Sequence, residues 1–122
     1  MPRDEVFIRL KEILTPYDGR LEVSADRPGC FELSTLPTPK DKKGMFVAAV
    51  RDGKAYTSFH LMPVYAFPEL LDSASPELRK RMQGKSCFNF RHVDEALFRE
   101  LADLTSLGLE RFGTLGVQRR RT

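Results

Sequence analysis

The chain has 122 residues, 41% hydrophobic and 30% charged, a composition that fits one compact soluble domain able to build its own core. Its net charge is +3, yet without the run Arg119, Arg120 and Arg121 the basic residues only match the 17 acidic ones. A nucleic-acid binder carries its positive excess on the folded body, so composition disfavours that class of partner.

Cys30 and Cys87 are the only cysteines, too few for a disulfide scaffold or a four-cysteine zinc site. The opening segment MPRDEVFIRLKEIL is charged throughout and does not read as a signal peptide. No apolar run approaches the roughly 20 residues that span a bilayer. The expected setting is therefore cytoplasmic and reducing, with no membrane partner.

Val6, Phe7, Leu10, Ile13 and Leu14 recur at helical spacing and predict a first helix from Asp4 to Leu14, with Asp4 as its N-cap. Its carboxylates Asp4, Glu5 and Glu12 are interleaved with Arg3, Arg9 and Lys11. Leu21, Val23 and Ala25 alternate with polar residues, as do Phe31 and Leu33. With Asp26-Arg-Pro-Gly29 between them, these segments predict a hairpin. Two prolines and three lysines between Leu36 and Gly44 predict a solvated, mobile loop.

A second hairpin follows from MFVAAVR and KAYTSFHLM flanking Asp52-Gly53, a two-residue turn signal. That turn pairs Arg51 with Lys54, Val50 with Ala55, Ala48 with Thr57 and Phe46 with Phe59. The strand period of two sends these apolar residues and Leu61 to one face. Met45, Val47, Ala49, Tyr56, Ser58, His60 and Met62 take the other. Pro63 and Pro68 then bound a loop, with a short helical turn at PELLDS. Ser75-Pro76 opens a further helix that Gly84 ends, with Ser75 as N-cap. SCFNF reads as a strand, and Leu97, Leu101, Leu104 and Gly108 mark the buried stripe of a last helix from about Val93 to Phe112. The expected architecture is a single α+β domain over 1–114, followed by a basic flexible tail over 115–122. About five mostly antiparallel strands carry helices on one face, in the order α-β-β-β-β-α-β-α.

MQGKSCFNF contains Gly-Lys-Ser, but a phosphate loop needs a glycine five positions before Gly84, where Arg79 stands. Its context, helix before and strand after, is also reversed. Cys87 lies near Lys85 and a basic helix end, which lower a thiol pKa. A lone cysteine in an apolar strand is more commonly a small core residue. Phe88 and Phe90 share one face of that strand, Cys87 and Asn89 the other. His60, His92, Cys30 and Cys87 show no metal-ligand spacing, and no Gly-x-Ser-x-Gly elbow is present. No residue set reads as catalytic, and no metal or cofactor is expected. The cluster Arg79, Lys80, Arg81, Lys85 and Arg91 reads as a solvated helix end whose cations complement the helix dipole.

The Tyr56, Ser58, His60 and Met62 face joins aromatic, hydroxyl, imidazole and thioether groups and suits a ligand platform or partner surface. A homodimer contact, or the flanking loops, are the alternative covers for it. HLMPVYAFPEL adds Tyr65 and Phe67 on a proline-rich loop.

MFVAAVRDGKAYTSFHLMPVY, SPELRKRMQGKSCFNF and DEALFRELADL together resemble the YdhG-like family of domains of unknown function, over residues 44–112. The resemblance implies an α+β fold similar in broad outline to frataxin, and iron-chaperone roles have been proposed for some relatives. The expected function is a non-enzymatic binding or interaction domain. Its surface would comprise Tyr56, Ser58, His60, Met62, Tyr65, Phe67, Lys85, Cys87 and Asn89 with the Pro63–Pro68 loop, and its partner a small molecule or protein. The alternative is a small enzyme or iron-chaperone-like protein using His60 and Cys87.

Overall fold

The computed structural model of the chain describes residues 2–35 and 44–112, without the side chains of 2–4 and 112. The expected lysine-rich loop, apart from Gly44, and the basic tail lie outside the described residues. Helix α1 (Pro2–Leu14) and a 3-10 turn (Thr15–Tyr17) lead into strands β1 (Glu22–Arg27), β2 (Cys30–Ser34), β3 (Phe46–Asp52) and β4 (Thr57–Leu61). Helix α2 (Met62–Ala66), a 3-10 helix (Pro68–Ser73) and helix α3 (Pro76–Arg79) connect to β5 (Cys87–Phe90). Helix α4 (Glu95–Phe112) closes the fold. The five strands form one antiparallel sheet in chain order, β1-β2-β3-β4-β5. This is the expected α+β architecture. No described helix is long and apolar enough to cross a membrane.

One sheet face is the core. Phe31 and Leu33 of β2, Ala48 and Val50 of β3, Phe59 and Leu61 of β4, and Phe88 and Phe90 of β5 are all buried. Val6, Leu10 and Leu14 of α1 and Leu97, Leu101 and Leu104 of α4 are buried in the same cluster. Each such large apolar side chain contributes about 1.5–3 kcal/mol when removed from water. Phe98 meets Phe90 edge to face at 5.0 Å, the arrangement aromatic quadrupoles favour. Arg9 grips Glu95 with both terminal guanidinium nitrogens and ties α1 to the start of α4. Gly108 lets α4 approach α2, since a Cβ there would lie 3.0 Å from Pro63 Cβ.

The first hairpin turns on Pro28-Gly29, with Arg27 opposite Cys30 and Gly29 at φ +77°. Asp4 falls within the first turn of α1, because the helix begins two residues earlier, at Pro2.

The second hairpin differs from its predicted register. Val50 pairs with Phe59, Ala48 with Leu61 and Arg51 with Ser58, and the connection is the four residues Gly53–Tyr56. The two-residue turn would set Arg51 opposite Lys54, a like-charge pair that costs stability. Instead Thr57 Oγ1 donates to Asp52 Oδ1 at 2.6 Å, and the Gly53 amide donates to the Tyr56 carbonyl at 2.8 Å. Gly53 is not at positive φ. The shift is four residues, an even number, so every side chain keeps its predicted face.

Two further elements depart from expectation. Pro63 sits in the first turn of a helix, where it needs no N–H partner, so Met62–Ala66 is α2 and not strand end and loop. Helix α3 stops at Arg79, five residues before Gly84. Ser75 caps it as expected, accepting from the Leu78 amide at 3.1 Å. The chain then doubles back: the Asn89 amide donates to the Arg81 carbonyl, and the Gln83 amide to the Cys87 carbonyl. Gly84, at φ +85°, forms the turn of this small hairpin instead of a helix cap.

Candidate functional site

The sheet face opposite the helices is crossed by two rows of side chains. In one, Cys30, Arg51, Ser58 and Asn89 stand side by side on β2, β3, β4 and β5. In the other, Glu32, Ala49, His60 and Cys87 do the same. The period of two that turns Phe59, Phe88 and Phe90 into the core turns these residues to the other face, where Cys30 and Ala49 are buried and the rest are partly or fully exposed. Cys87 and Asn89 therefore share a face with His60.

The two rows are joined by hydrogen bonds. Arg51 donates through Nε and a terminal nitrogen to Glu32 Oε2, at 3.1 and 2.6 Å. Cys30 Sγ lies 3.6 Å from the same oxygen. Ser58 Oγ donates to Asn89 Oδ1 at 2.8 Å, and Cys87 Sγ reaches that oxygen at 3.3 Å. Cys87 Sγ also lies 3.8 Å from His60 Nε2. Asn89 Nδ2 donates to Gln83 Oε1 at 2.7 Å, and Tyr56 Oη donates to the same oxygen at 3.1 Å. A continuous polar surface thus runs from Tyr56 to Cys87 and His60.

The electrostatics favour neutral groups at its centre. Burial lowers the His60 imidazole below its ordinary value, and the Arg51 charge adds to this against a smaller opposing pull from Glu32. Burial raises the Cys87 thiol, outweighing the opposing influence of the nearby Ser58 hydroxyl and the Arg51 charge. Both shifts oppose a thiolate–imidazolium pair, the species a cysteine nucleophile needs. The Arg51 guanidinium, hydrogen-bonded to Glu32, holds that carboxyl below its usual range. No group of three or more His, Cys, Asp or Glu among the described residues is arranged to hold a metal ion.

The predicted surface residues divide. Tyr56, Ser58, His60, Cys87 and Asn89 come together. Met62 starts α2, and Tyr65 is exposed on the same helix. Phe67 packs half-buried against the hydrophobic core, with the Arg111 guanidinium 4.6 Å from its ring centre, so it belongs to the helical layer. Lys85 is exposed in the turn after Gly84. Four residues of this face, Glu32, Arg51, Cys30 and Gln83, are additional. The alternation of β2 and β3 assigns the first three to faces, but only the strand order reveals that Arg51 stands beside Ser58. Gln83 arrives through the return of residues 81–83 along β5, for which the sequence carries no signal beyond Gly84.

The basic cluster divides as well. Arg79 donates to the Leu71 carbonyl at 2.7 Å. Lys80, Arg81 and Arg91 line an open cleft of about 400 Å³ with Tyr56, Gln83 and Asn89. Helix α3 has four residues, so its dipole offers these cations little to complement.

Comparison with protein-family models, curated proteins and solved structures found no match to this chain. The YdhG-like resemblance rests on its quoted motifs alone.

Proposed function

We propose that the protein is a non-enzymatic binding domain whose working surface is the sheet face opposite the Phe59–Phe88 core, centred on Ser58, His60, Cys87 and Asn89, and whose ligand is a small polar molecule. The observation that carries this reading is the hydrogen-bonded network across β4 and β5, where burial disfavours the charged forms of both His60 and Cys87. Such a surface presents fixed donors and acceptors while withholding a nucleophile. Few groups need reordering on binding, which lowers the entropic cost of association.

The alternative, an enzyme using His60 and Cys87, is opposed by the direction of both titrations. An iron-handling role would require oxygen ligands in a cluster, and saturable iron binding in a calorimetric titration would support it.

The test is a screen of polar small molecules read from backbone amide chemical shifts. A ligand that moves Ser58, His60, Cys87 and Asn89, and binds more weakly to Ser58→Ala, supports the reading. A hydrolytic or transfer activity abolished by Cys87→Ser overturns it.

A further inference from the structure

The cleft at the β5 edge has a chemistry distinct from the His60 surface. Its cations, Lys80, Arg81 and Arg91, are exposed and make no ion pair among the described residues. No carboxylate among the described residues lines it; the remaining walls are Tyr56, Met82, Gln83 and Asn89. Other cations of the molecule are paired, Arg51 with Glu32 on the same sheet face, and Arg9 with Glu95 and Arg111 with Glu69 in the helical layer. Three cations around one concavity, with no ion pair among the described residues, form an anion-attracting field.

The neutral groups in the cleft point the same way. Gln83 Oε1 accepts from both Tyr56 and Asn89, which leaves the Gln83 NH2 group without a partner among the described residues. Asn89 Oδ1 is occupied by Ser58 and Cys87, while only one of its two N–H bonds is used, toward Gln83. Both side-chain amides thus spend their acceptor oxygens inside the network and keep donors for the cleft. A site that offers cations and N–H donors selects an acceptor-rich anion, and guanidinium groups match tetrahedral oxyanions through paired N–H bonds. The volume, about 400 Å³, lies in the range of small-molecule sites, and Tyr56 and Met82 add apolar wall.

We propose that this cleft binds the phosphate group of a small phosphorylated molecule, with Lys80, Arg81 and Arg91 countering its charge, Gln83 and Asn89 donating to its oxygens, and Tyr56 and Met82 lining the organic part. The site goes beyond the His60 surface, sharing Tyr56 and Asn89 with it but resting on the three cations. Failure of either leaves the other standing.

The experiment is a titration of the full chain with inorganic phosphate and with phenyl phosphate, followed by backbone amide shifts at low salt. The expected result is saturable binding at roughly millimolar concentration, centred on Tyr56, Arg81, Gln83, Asn89 and Arg91 and weakened by salt. Arg81→Gln and Arg91→Gln each weaken it about tenfold, the loss expected for one charge-assisted contact. Arg27→Gln, which removes the same charge at the opposite sheet edge, leaves it unchanged; circular dichroism verifies that all three variants fold. Equal weakening by Arg27→Gln would reduce the effect to net charge and overturn the site. Affinity unaffected by Arg81→Gln and Arg91→Gln would also overturn it, placing binding elsewhere, with Arg119–Arg121 the competing run. Tighter saturable binding of a single-stranded oligonucleotide through the same residues would replace the small molecule with a nucleic acid.

Discussion

The Ser58–Asn89 hydrogen bond is the joint of the polar network, and a double-mutant cycle measures it. Ser58→Ala removes one neutral hydrogen bond between half-buried groups, 2.8 Å long. Neutral hydrogen bonds contribute about 1 kcal/mol net, so this variant should lose about 1 kcal/mol. Asn89→Ala removes the same bond together with the contacts to Cys87 and Gln83. The thiol is a weak donor and Gln83 is exposed, so those two together add about 1 kcal/mol, for a loss of about 2 kcal/mol. In the double variant the shared bond is lost only once. The coupling energy is therefore about 1 kcal/mol, above the few tenths expected of independent sites. Urea unfolding followed by far-UV circular dichroism gives these values from midpoints at unchanged slope. A coupling indistinguishable from zero, or an Asn89→Ala variant as stable as the parent, would refute the network.

The remaining predictions test the centre of the surface and the helical layer behind it. His60 is lowered in the fold from an ordinary value of 6.5, so the unfolded chain takes up its proton first as pH falls. Its contribution to stability is fully present above pH 6.5 and is lost as pH falls through the folded value. Unfolding free energies of the parent should therefore drop more between pH 7 and 5 than those of His60→Gln; parallel profiles would contradict the burial of His60. Gly108→Val places a branched side chain where a Cβ alone meets Pro63 at 3.0 Å. It should destabilise by about 1–3 kcal/mol in urea unfolding, and a neutral result would disprove the close packing of α4 on α2.

The fold was legible where period and polarity agree. Phe31 and Leu33, Phe59 and Leu61, and Phe88 and Phe90 alternate so regularly that strand and inward face both follow, and they are buried in the structure. The face assignment of Ser58, His60, Cys87 and Asn89 came from the same period. The four-residue difference in register leaves that assignment unchanged because it is even. At Asp52-Gly53 the two-residue turn gives way to a four-residue connection closed by the Thr57–Asp52 and Gly53–Tyr56 hydrogen bonds, which the dipeptide does not signal. The Pro63–Pro68 segment misled because proline opens a helix as readily as it breaks one, and burial of Val64 decides between them. Least legible was the cleft: Arg81 and Arg91 are ten residues apart, and only the return of residues 81–83 along β5 brings them to one concavity.

The rate of Cys87 alkylation tests the central claim, a binding surface where burial disfavours the charged forms of both His60 and Cys87. Iodoacetamide labelling of the native full chain, resolved by mass spectrometry from Cys30, reports the thiolate fraction as a function of pH. Burial raises the Cys87 thiol from an ordinary value of 9.0. Labelling at pH 7 should therefore be slower than in the urea-unfolded chain, with the rate still climbing above pH 9. Rapid labelling at pH 7 that His60→Gln abolishes would reveal a thiolate–imidazolium pair and contradict the account.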